Sequence, residues 1–250
     1  MRIIPQIETP VSENYINFEE NLIKLLGGIE KSGLNNQNTG QDFPRIILEQ
    51  NFGVNGLLLC KDLKDKQGNL NIAYAFNMRD KNRISIFSDL ITLKQIGVKD
   101  IIVSEGVHPL KTVFNAAKPV YDVDILGIAL ILKRGFMNYL EGLEGIVDKD
   151  EADFFNLGAV ISASTAVDGL KVKKLINIGA DRFIINYTGK NPDEDIIKYI
   201  KSEKKEVFLY VKESYIDNSP EDFIKANERL NLDGIIIKIT DEKTNVFTRQ

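Results

Sequence analysis

Short apolar runs separated by amphipathic segments recur along the whole chain, and each run has about the length of a strand. Runs such as IIV at 101–103, FII at 183–185 and GIIIK at 234–238 are apolar at consecutive positions, as strands buried on both faces of a parallel sheet are. Between such runs, segments such as Asn82–Ile96 place apolar residues at helical spacing. The pattern predicts eight strands, which begin near residues 2, 54, 71, 100, 156, 182, 206 and 233.

Alternating strands and helices in 250 residues predict an α/β fold, a single (β/α)8 barrel of the TIM type that spans residues 1–250. Its second unit is expected to be irregular. Arg45–Asn51 has a helical pattern and Val54–Cys60 has that of a buried strand, which leaves too little chain for a full helix before the third strand. The short segment after the last strand predicts that the final helix is missing. The alternative is an open doubly wound sheet, which the absence of a G-x-G-x-x-G turn disfavours.

Composition and charge narrow the functional classes. A net charge of −4 without a dense Lys/Arg run argues against nucleic-acid binding. A single cysteine and a single histidine argue against a disulfide framework and a dedicated metal site. No apolar run is long enough for a membrane span or a signal peptide. The sequence therefore predicts a cytoplasmic protein that binds neither membrane nor nucleic acid.

In a barrel of this type, the active site forms at the carboxyl ends of the strands. The residues at the ends of the predicted strands are the candidates: Glu8, Cys60, Lys61, Asn77 to Arg83 (with Arg79 and Asp80), Glu105 to His108, Ser162, Ser164, Asn186, Tyr187, Lys212 and Lys238. Each also has an ordinary structural interpretation. Glu8 could pair with a lysine, and Asp80 could pair with Arg79 or cap the next helix. His108 could be a surface-loop residue, and the two serines could simply begin a loop.

Several segments, taken in order, resemble the methylenetetrahydrofolate reductase family. That family carries a Glu-x-x-Pro turn after its first strand, an R-D-x-N-R segment after its third, a K-P-V-x-D-x-D segment soon after its fourth, an F-x-I-G-A strand and a K-x-x-A-G-A-x-x-x-x-T-Q segment. The corresponding segments here are IETP at 7–10, MRDKNR at 78–83, KPVYDVD at 118–124, FNLGAVIS at 155–162 and KKLINIGADRFIINY at 173–187. The resemblance covers residues 1–190, and the family fold is also a (β/α)8 barrel.

The resemblance implies that a methylene group on a folate-type pterin is reduced to a methyl group, with FAD and NAD(P)H as cofactors. It implies that Glu8 is the catalytic acid that opens the methylene bridge. Asn186 takes the place of a glutamine that contacts the pterin, and Tyr187, Asn77, Glu105 and His108 are expected beside it. Arg79, Asp80, Ser162 and Ser164 are expected to contact the cofactor.

Two segments depart from the family pattern. The Gly-Asp turn after the fourth strand is Gly106-Val107 here, preceded by Glu105, and a stretch that carries Glu and His is replaced by residues 162–168. The usual flavin contacts are therefore missing. Two alternatives stay open: a flavin-free, pterin-binding barrel in methyl transfer, and a non-catalytic barrel that serves as a subunit. Either a protein partner or a homo-oligomer is expected.

Overall fold

The computed structural model describes residues 2–10, 15–31, 44–50, 53–112, 114–133, 154–187, 192–212, 225 and 227–239. Eight strands form a closed barrel in chain order, and the pairs β1–β2, β1–β8, β4–β5, β5–β6 and β7–β8 are parallel. This confirms the predicted (β/α)8 barrel and excludes the open doubly wound sheet. The strands are β1 Arg2–Glu8, β2 Ile46–Glu49, β3 Ile72–Asn77, β4 Asp100–Ser104, β5 Asn156–Ile161, β6 Arg182–Asn186, β7 Glu206–Lys212 and β8 Gly234–Ile239.

Helices alternate with these strands. They are α1 Tyr15–Lys31, α2 Gly56–Lys66, α3 Arg83–Ile96, α4 Ile125–Lys133, α5 Ala166–Ile178 and α6 Glu194–Ser202, and residues 227–230 are helical before β8. The helix predicted at 82–96 is confirmed as α3, and Gly97 ends it in the left-handed conformation. The prediction that no helix follows the last strand concerns residues 240–250, which lie outside the described residues.

The second β/α unit is regular, so the prediction for it was wrong. Ile46–Glu49, expected in a helix, is the short strand β2, and Val54–Cys60, expected as a strand, leads into helix α2. The side chain of Asn55 accepts a hydrogen bond from the Leu57 amide at 2.8 Å and so caps the start of α2. Cys60 is fully buried on this helix, where burial raises the pKa of its thiol to about 12.

The chain divides into two compact units, Met1–Tyr74 with Phe208–Gln250, and Ala75–Val207. In the first unit, β1 pairs with β2 and β8, and β8 also pairs with β7. Ile7, Leu48 and Ile237 are buried on one face of these strands. Because alternate residues of a strand point to opposite faces, their polar neighbours along each strand share the other face.

In the second unit, ion pairs connect the amino-terminal ends of the strands. Arg182, the first residue of β6, bonds to Asp100 at the start of β4 and to Glu206 at 2.7 Å. Asn156, at the start of β5, donates a hydrogen bond to Asp100 at 3.2 Å. Burial raises the pKa of the Asp100 carboxyl, and the Arg182 guanidinium opposes that shift. These contacts hold the amino-terminal ends of the strands together. No candidate site residue was predicted at those ends.

No helix in the described part of the chain is long and apolar enough to cross a membrane. Similarly, no group of three or more His, Cys, Asp or Glu side chains among the described residues is arranged to hold a metal ion.

Candidate active site

Glu8 belongs to a polar cluster at the carboxyl ends of the strands in the first unit. Glu8 and Glu49 are register partners on β1 and β2, while Gln6 is the partner of Lys238 on β8. Paired residues of parallel strands point to the same face, and Gln6 and Glu8 are two positions apart on one strand. The four side chains therefore lie on one face of the sheet, opposite the face on which Ile7, Leu48 and Ile237 are buried.

Ion pairs and hydrogen bonds connect these four side chains, which together with Tyr210 we call the Glu8 cluster (Gln6, Glu8, Glu49, Tyr210 and Lys238). The Lys238 ammonium donates a hydrogen bond to Glu8 Oε1 and lies 3.6 Å from Glu49 Oε2. The Gln6 amide donates to Glu49 Oε2 at 2.8 Å. The side chains of Lys238 and Glu49 are 22% and 18% exposed, so water screens the ion pairs less than it would on an open surface. The interpretation that Glu8 pairs with a lysine is thus confirmed.

Tyr210 adds a neutral hydroxyl to the Glu8 cluster. Its register partner on β8 is Ile236, two positions before Lys238, which places Tyr210 on the same face as the carboxylates. Burial raises the pKa of the Tyr210 phenol, and the negative charges of Glu49 and Glu8 raise it further. The phenol therefore keeps its proton throughout the neutral pH range and can serve only as a neutral hydrogen-bonding group.

In the second unit, Asn77 and Arg79 lie beside the turn that follows β4. The Ser104 hydroxyl donates a hydrogen bond to Asn77 Oδ1 at 2.7 Å, which joins the ends of β4 and β3. Gly106 has a φ of +76°, and a Cβ placed on it would lie 3.2 Å from Asn77 Cβ. Both the backbone conformation and the close approach favour glycine at this position.

Arg79 lies over an aromatic ring from the segment that precedes α4. Its guanidinium carbon is 5.3 Å from the ring centroid of Tyr121, and its Nη1 donates to the Tyr121 hydroxyl at 3.1 Å. The Nε atom of Arg79 is buried and makes no hydrogen bond to any described residue. Tyr121 is 69% exposed. Arg79 therefore retains a donor that an anionic group could use.

Glu105 and His108 have partners of their own in the second unit. Glu105 forms an ion pair with Lys171 of α5, and both side chains are partly exposed. His108 Nδ1 accepts a hydrogen bond from the Leu110 amide at 3.2 Å, which caps the 3-10 turn Pro109–Lys111. This contact supports the surface-loop interpretation of His108, whose side chain is half-buried.

The serines after β5 bind Asp168. Ser164 donates its amide to Asp168 Oδ2 at 3.0 Å, and Thr165, the N-cap of α5, donates its hydroxyl to the same oxygen at 2.9 Å. The Ser162 hydroxyl also donates a hydrogen bond to the Asp168 carboxylate. Ser162 and Ser164 are exposed, but their hydrogen bonds already serve the start of α5.

The remaining candidates occupy the ends of β3 and β6. Asn186 is exposed at the last position of β6, and Tyr187, half-buried, follows it. Asp80 ends the 3-10 turn Met78–Asp80, and its side chain lies outside the described residues. The helix cap suggested for Asp80 is made by Asn82 instead, whose side chain accepts from the Ser85 amide at 2.9 Å.

Three members of the Glu8 cluster were absent from the predicted site. Glu49 was placed in a helix, and Gln6 and Tyr210 lie inside strands rather than after them. The available signal was the alternation along β1, where Gln6 and Glu8 are polar while Pro5 and Ile7 are not. A polar residue two positions before the end of a barrel strand points to the same face as the residue at the end. The two residues therefore belong to the same cluster.

No model of a known protein family and no curated protein matches this chain. The class of the protein is therefore defined by its geometry, a (β/α)8 barrel with a carboxylate–lysine cluster at the ends of β1, β2 and β8. The resemblance to methylenetetrahydrofolate reductases stays a prediction.

Proposed function

We propose that this chain is an oxidoreductase of one-carbon metabolism that reduces a methylene group on a folate-type pterin to a methyl group. The observation that most supports the proposal is the position of Glu8 in a partly buried cluster at the end of β1. A carboxyl group in such a setting can exchange a proton with a bound substrate. Glu8 is also the residue for which the sequence resemblance implies the role of acid.

The proposed reaction needs one proton and one hydride. The Glu8 carboxyl gives its proton to one of the two nitrogens that hold the methylene bridge. The bond between that nitrogen and the methylene carbon breaks, its electron pair stays on the nitrogen, and an iminium forms with the other nitrogen. A hydride then adds to the iminium carbon and produces the methyl group, and Glu8 is left as a carboxylate beside Lys238.

A reduced flavin or a reduced nicotinamide supplies the hydride when it is bound. Arg79 fits such a group best among the described residues, because its buried Nε lacks a hydrogen bond and could serve a phosphate or an anionic ring. Ser162 and Ser164 fit less well, since their hydrogen bonds are directed to Asp168. Asn186 is exposed and has an amide that could bond to a pterin.

The test begins with purified protein. Its absorbance spectrum shows whether a flavin copurifies, and calorimetric titration with a methylene-pterin measures binding. Reduction of the methylene-pterin is then followed with reduced flavin, NADH or NADPH as the donor. Binding and turnover support the proposal, whereas binding without turnover would favour the flavin-free, methyl-transfer alternative. A protein that neither binds the pterin nor turns it over would contradict both enzymatic functions.

Glu8→Gln tests the role of the acid. The amide keeps the shape of the side chain but has no acidic proton, so we expect kcat/KM to fall by about a hundredfold or more. Pterin binding should change much less. Glu194→Gln, the same substitution at an exposed position of α6, is the matched control and should leave both quantities unchanged. An active Glu8→Gln variant would remove Glu8 from the mechanism.

A further inference from the structure

We propose that Arg79 and the exposed apolar side chains beside it bind a ligand in which a carboxylate or a phosphodiester is joined to a flat aromatic group. The inference deepens the proposed function and rests on it for the identity of the ligand, because the acidic tail of a folate-type substrate and a dinucleotide cofactor both have this chemistry. Binding itself can be measured without turnover.

One edge of the Arg79 guanidinium is the part that a ligand can use. Arg79 lies in the 3-10 turn Met78–Asp80, directly after β3. Its Nη1 donates a hydrogen bond to the Tyr121 hydroxyl at 3.1 Å. Its Nε is buried, and no described residue accepts a hydrogen bond from it. Nε and Nη2 share the other edge of the planar group, and two such donors match the two oxygens of a carboxylate or a phosphodiester.

The nearby carboxylates have other partners. Asp122 accepts a hydrogen bond from the Arg83 amide at 2.7 Å and forms an ion pair with the Arg83 guanidinium. Glu105 forms an ion pair with Lys171 of α5. Their engagement agrees with the missing acceptor at Arg79 Nε. Because a buried donor without an acceptor is unfavourable, a ligand that supplies the acceptor gains affinity from it.

Three exposed apolar side chains lie on segments that meet at Arg79. The ring centroid of Tyr121 is 5.3 Å from Arg79 Cζ, and Tyr121 is 69% exposed. Val107, 58% exposed, follows the glycine at which an added Cβ would lie 3.6 Å from Arg79 Cβ. Ile84, 80% exposed, follows Arg83, which is bonded to the residue after Tyr121. We call these residues the Arg79 surface (Arg79, Ile84, Val107 and Tyr121). Such a surface suits a ligand that is anionic at one end and flat and apolar at the other.

Tyr121 is the residue that can admit the oxyanion. Because Arg79 Nε is buried, a ligand has to displace a neighbouring group to reach it. The Tyr121 side chain is mostly exposed and is held by its hydrogen bond to Arg79, so its rotation requires no repacking of the core. The ring can then stack on the aromatic part of the ligand.

Nitrogen-15 NMR of the arginine side chains tests the contact, and the Nε–H signal of Arg79 is the one lost in Arg79→Lys. Two kinds of probe separate the sources: para-aminobenzoyl-glutamate carries the carboxylate, while NADH and FAD carry the phosphodiester. We expect one kind to shift the Arg79 signal until it saturates. The uncharged counterparts, the dimethyl ester of the first probe and adenosine, should not shift it. No shift with either kind at millimolar concentration would overturn the inference.

Variants then show which groups bind the probe, with affinities measured by calorimetry. Arg79→Lys keeps the charge but removes the planar pair of donors, so the affinity should fall about tenfold or more. Tyr121→Ala should lower it severalfold. Arg45→Lys, the same substitution at an exposed position before β2, is the matched control and should leave it unchanged.

Asp80→Asn removes the carboxylate next to Arg79 in the chain. A carboxylate there would compete with an oxyanion, so the affinity for the probe should stay the same or rise in this variant. A loss of affinity in Asp80→Asn, or an unchanged affinity in Arg79→Lys, would overturn the inference.

The inference and the proposed function can fail separately. A probe that binds through Arg79 in a protein without reductase activity would support the inference and contradict the proposed function. Reductase activity with the same KM for the pterin and for the cofactor in wild type and Arg79→Lys would support the proposed function and overturn the inference. If Arg79→Lys does not fold, an unchanged affinity in Tyr121→Ala would overturn it.

Discussion

Asp168 shows how one side chain at a strand end can organise the residues around it. Its carboxylate accepts hydrogen bonds from the Ser164 and Thr165 amides and from the Thr165 hydroxyl, and the Thr165 hydroxyl accepts in turn from the Asp168 amide. This is a capping box, with the aspartate at the third helical position. Ser162 and Ser164, which were expected to contact the cofactor, thus serve the start of α5.

Asp168→Ala should destabilise the protein by about 1 kcal/mol at pH 7. Burial alone would raise the pKa of Asp168, but hydrogen bonds from Ser164, Ser162 and Thr165 outweigh it and lower the pKa. The folded-state pKa thus lies below the unfolded one, so this stability is present above about pH 4 and is lost as pH falls through the lowered pKa. Urea unfolding should show a gap between wild type and variant that narrows from pH 7 to pH 3. A gap that widens on acidification would contradict the sign.

At the scale of single residues, the sequence could predict Glu8, because a charged residue directly after an apolar strand is visible without knowledge of the fold. That Glu49 and Lys238 are the partners of Glu8 could not be predicted in the same way. Glu49 is 41 positions away in the chain and Lys238 is 230 positions away, and only the strand register brings them to one face. The chemistry of Glu8 depends on these neighbours, so its environment required the structure.

At the scale of elements, the second β/α unit shows where apolar patterning fails. Ile46–Leu48 is a three-residue apolar run followed by Glu49 and Gln50, too short to separate a strand from one turn of a helix. The run GLLLC at 56–60 looks like a strand, yet it continues as a helix through Lys66. The informative signal was Asn55 before it, since asparagine favours the N-cap position.

Asn55→Ala should therefore lower the free energy of unfolding by about 1 kcal/mol, because the Leu57 amide loses its acceptor. Asn55→Asp keeps a side-chain oxygen at the cap and adds a negative charge at a helix start, so it should be neutral or slightly stabilising. Chemical unfolding of both variants beside the wild type measures the difference. Equal losses in the two variants would show that the cap oxygen is not what stabilises α2.

At the scale of the whole molecule, the barrel was predictable because most strands are apolar on both faces, a pattern that parallel strands covered by helices require. The strands predicted to begin near residues 2, 100 and 233 begin at Arg2, Asp100 and Gly234. Closure of the barrel is harder to predict from the sequence than the strands themselves. It depends on the contact between β1 and β8, whose register runs from Arg2 and Gly234 to Ile7 and Ile239.

Gly234 permits that contact. A Cβ at position 234 would lie 2.5 Å from the carbonyl oxygen of Arg2 and 2.9 Å from its Cβ, and the backbone of β1 cannot yield without disturbing the pairing. Gly234→Ala should therefore cost about 1–3 kcal/mol of stability, the usual range for overpacking. Gly27→Ala is the matched control, because nothing lies within 4 Å of its added methyl group and the residue is inside α1. There alanine should stabilise the helix by about 0.5–1 kcal/mol. Equilibrium unfolding in urea should give opposite signs for the two substitutions, and a neutral Gly234→Ala would mean that β1 and β8 can move apart without loss.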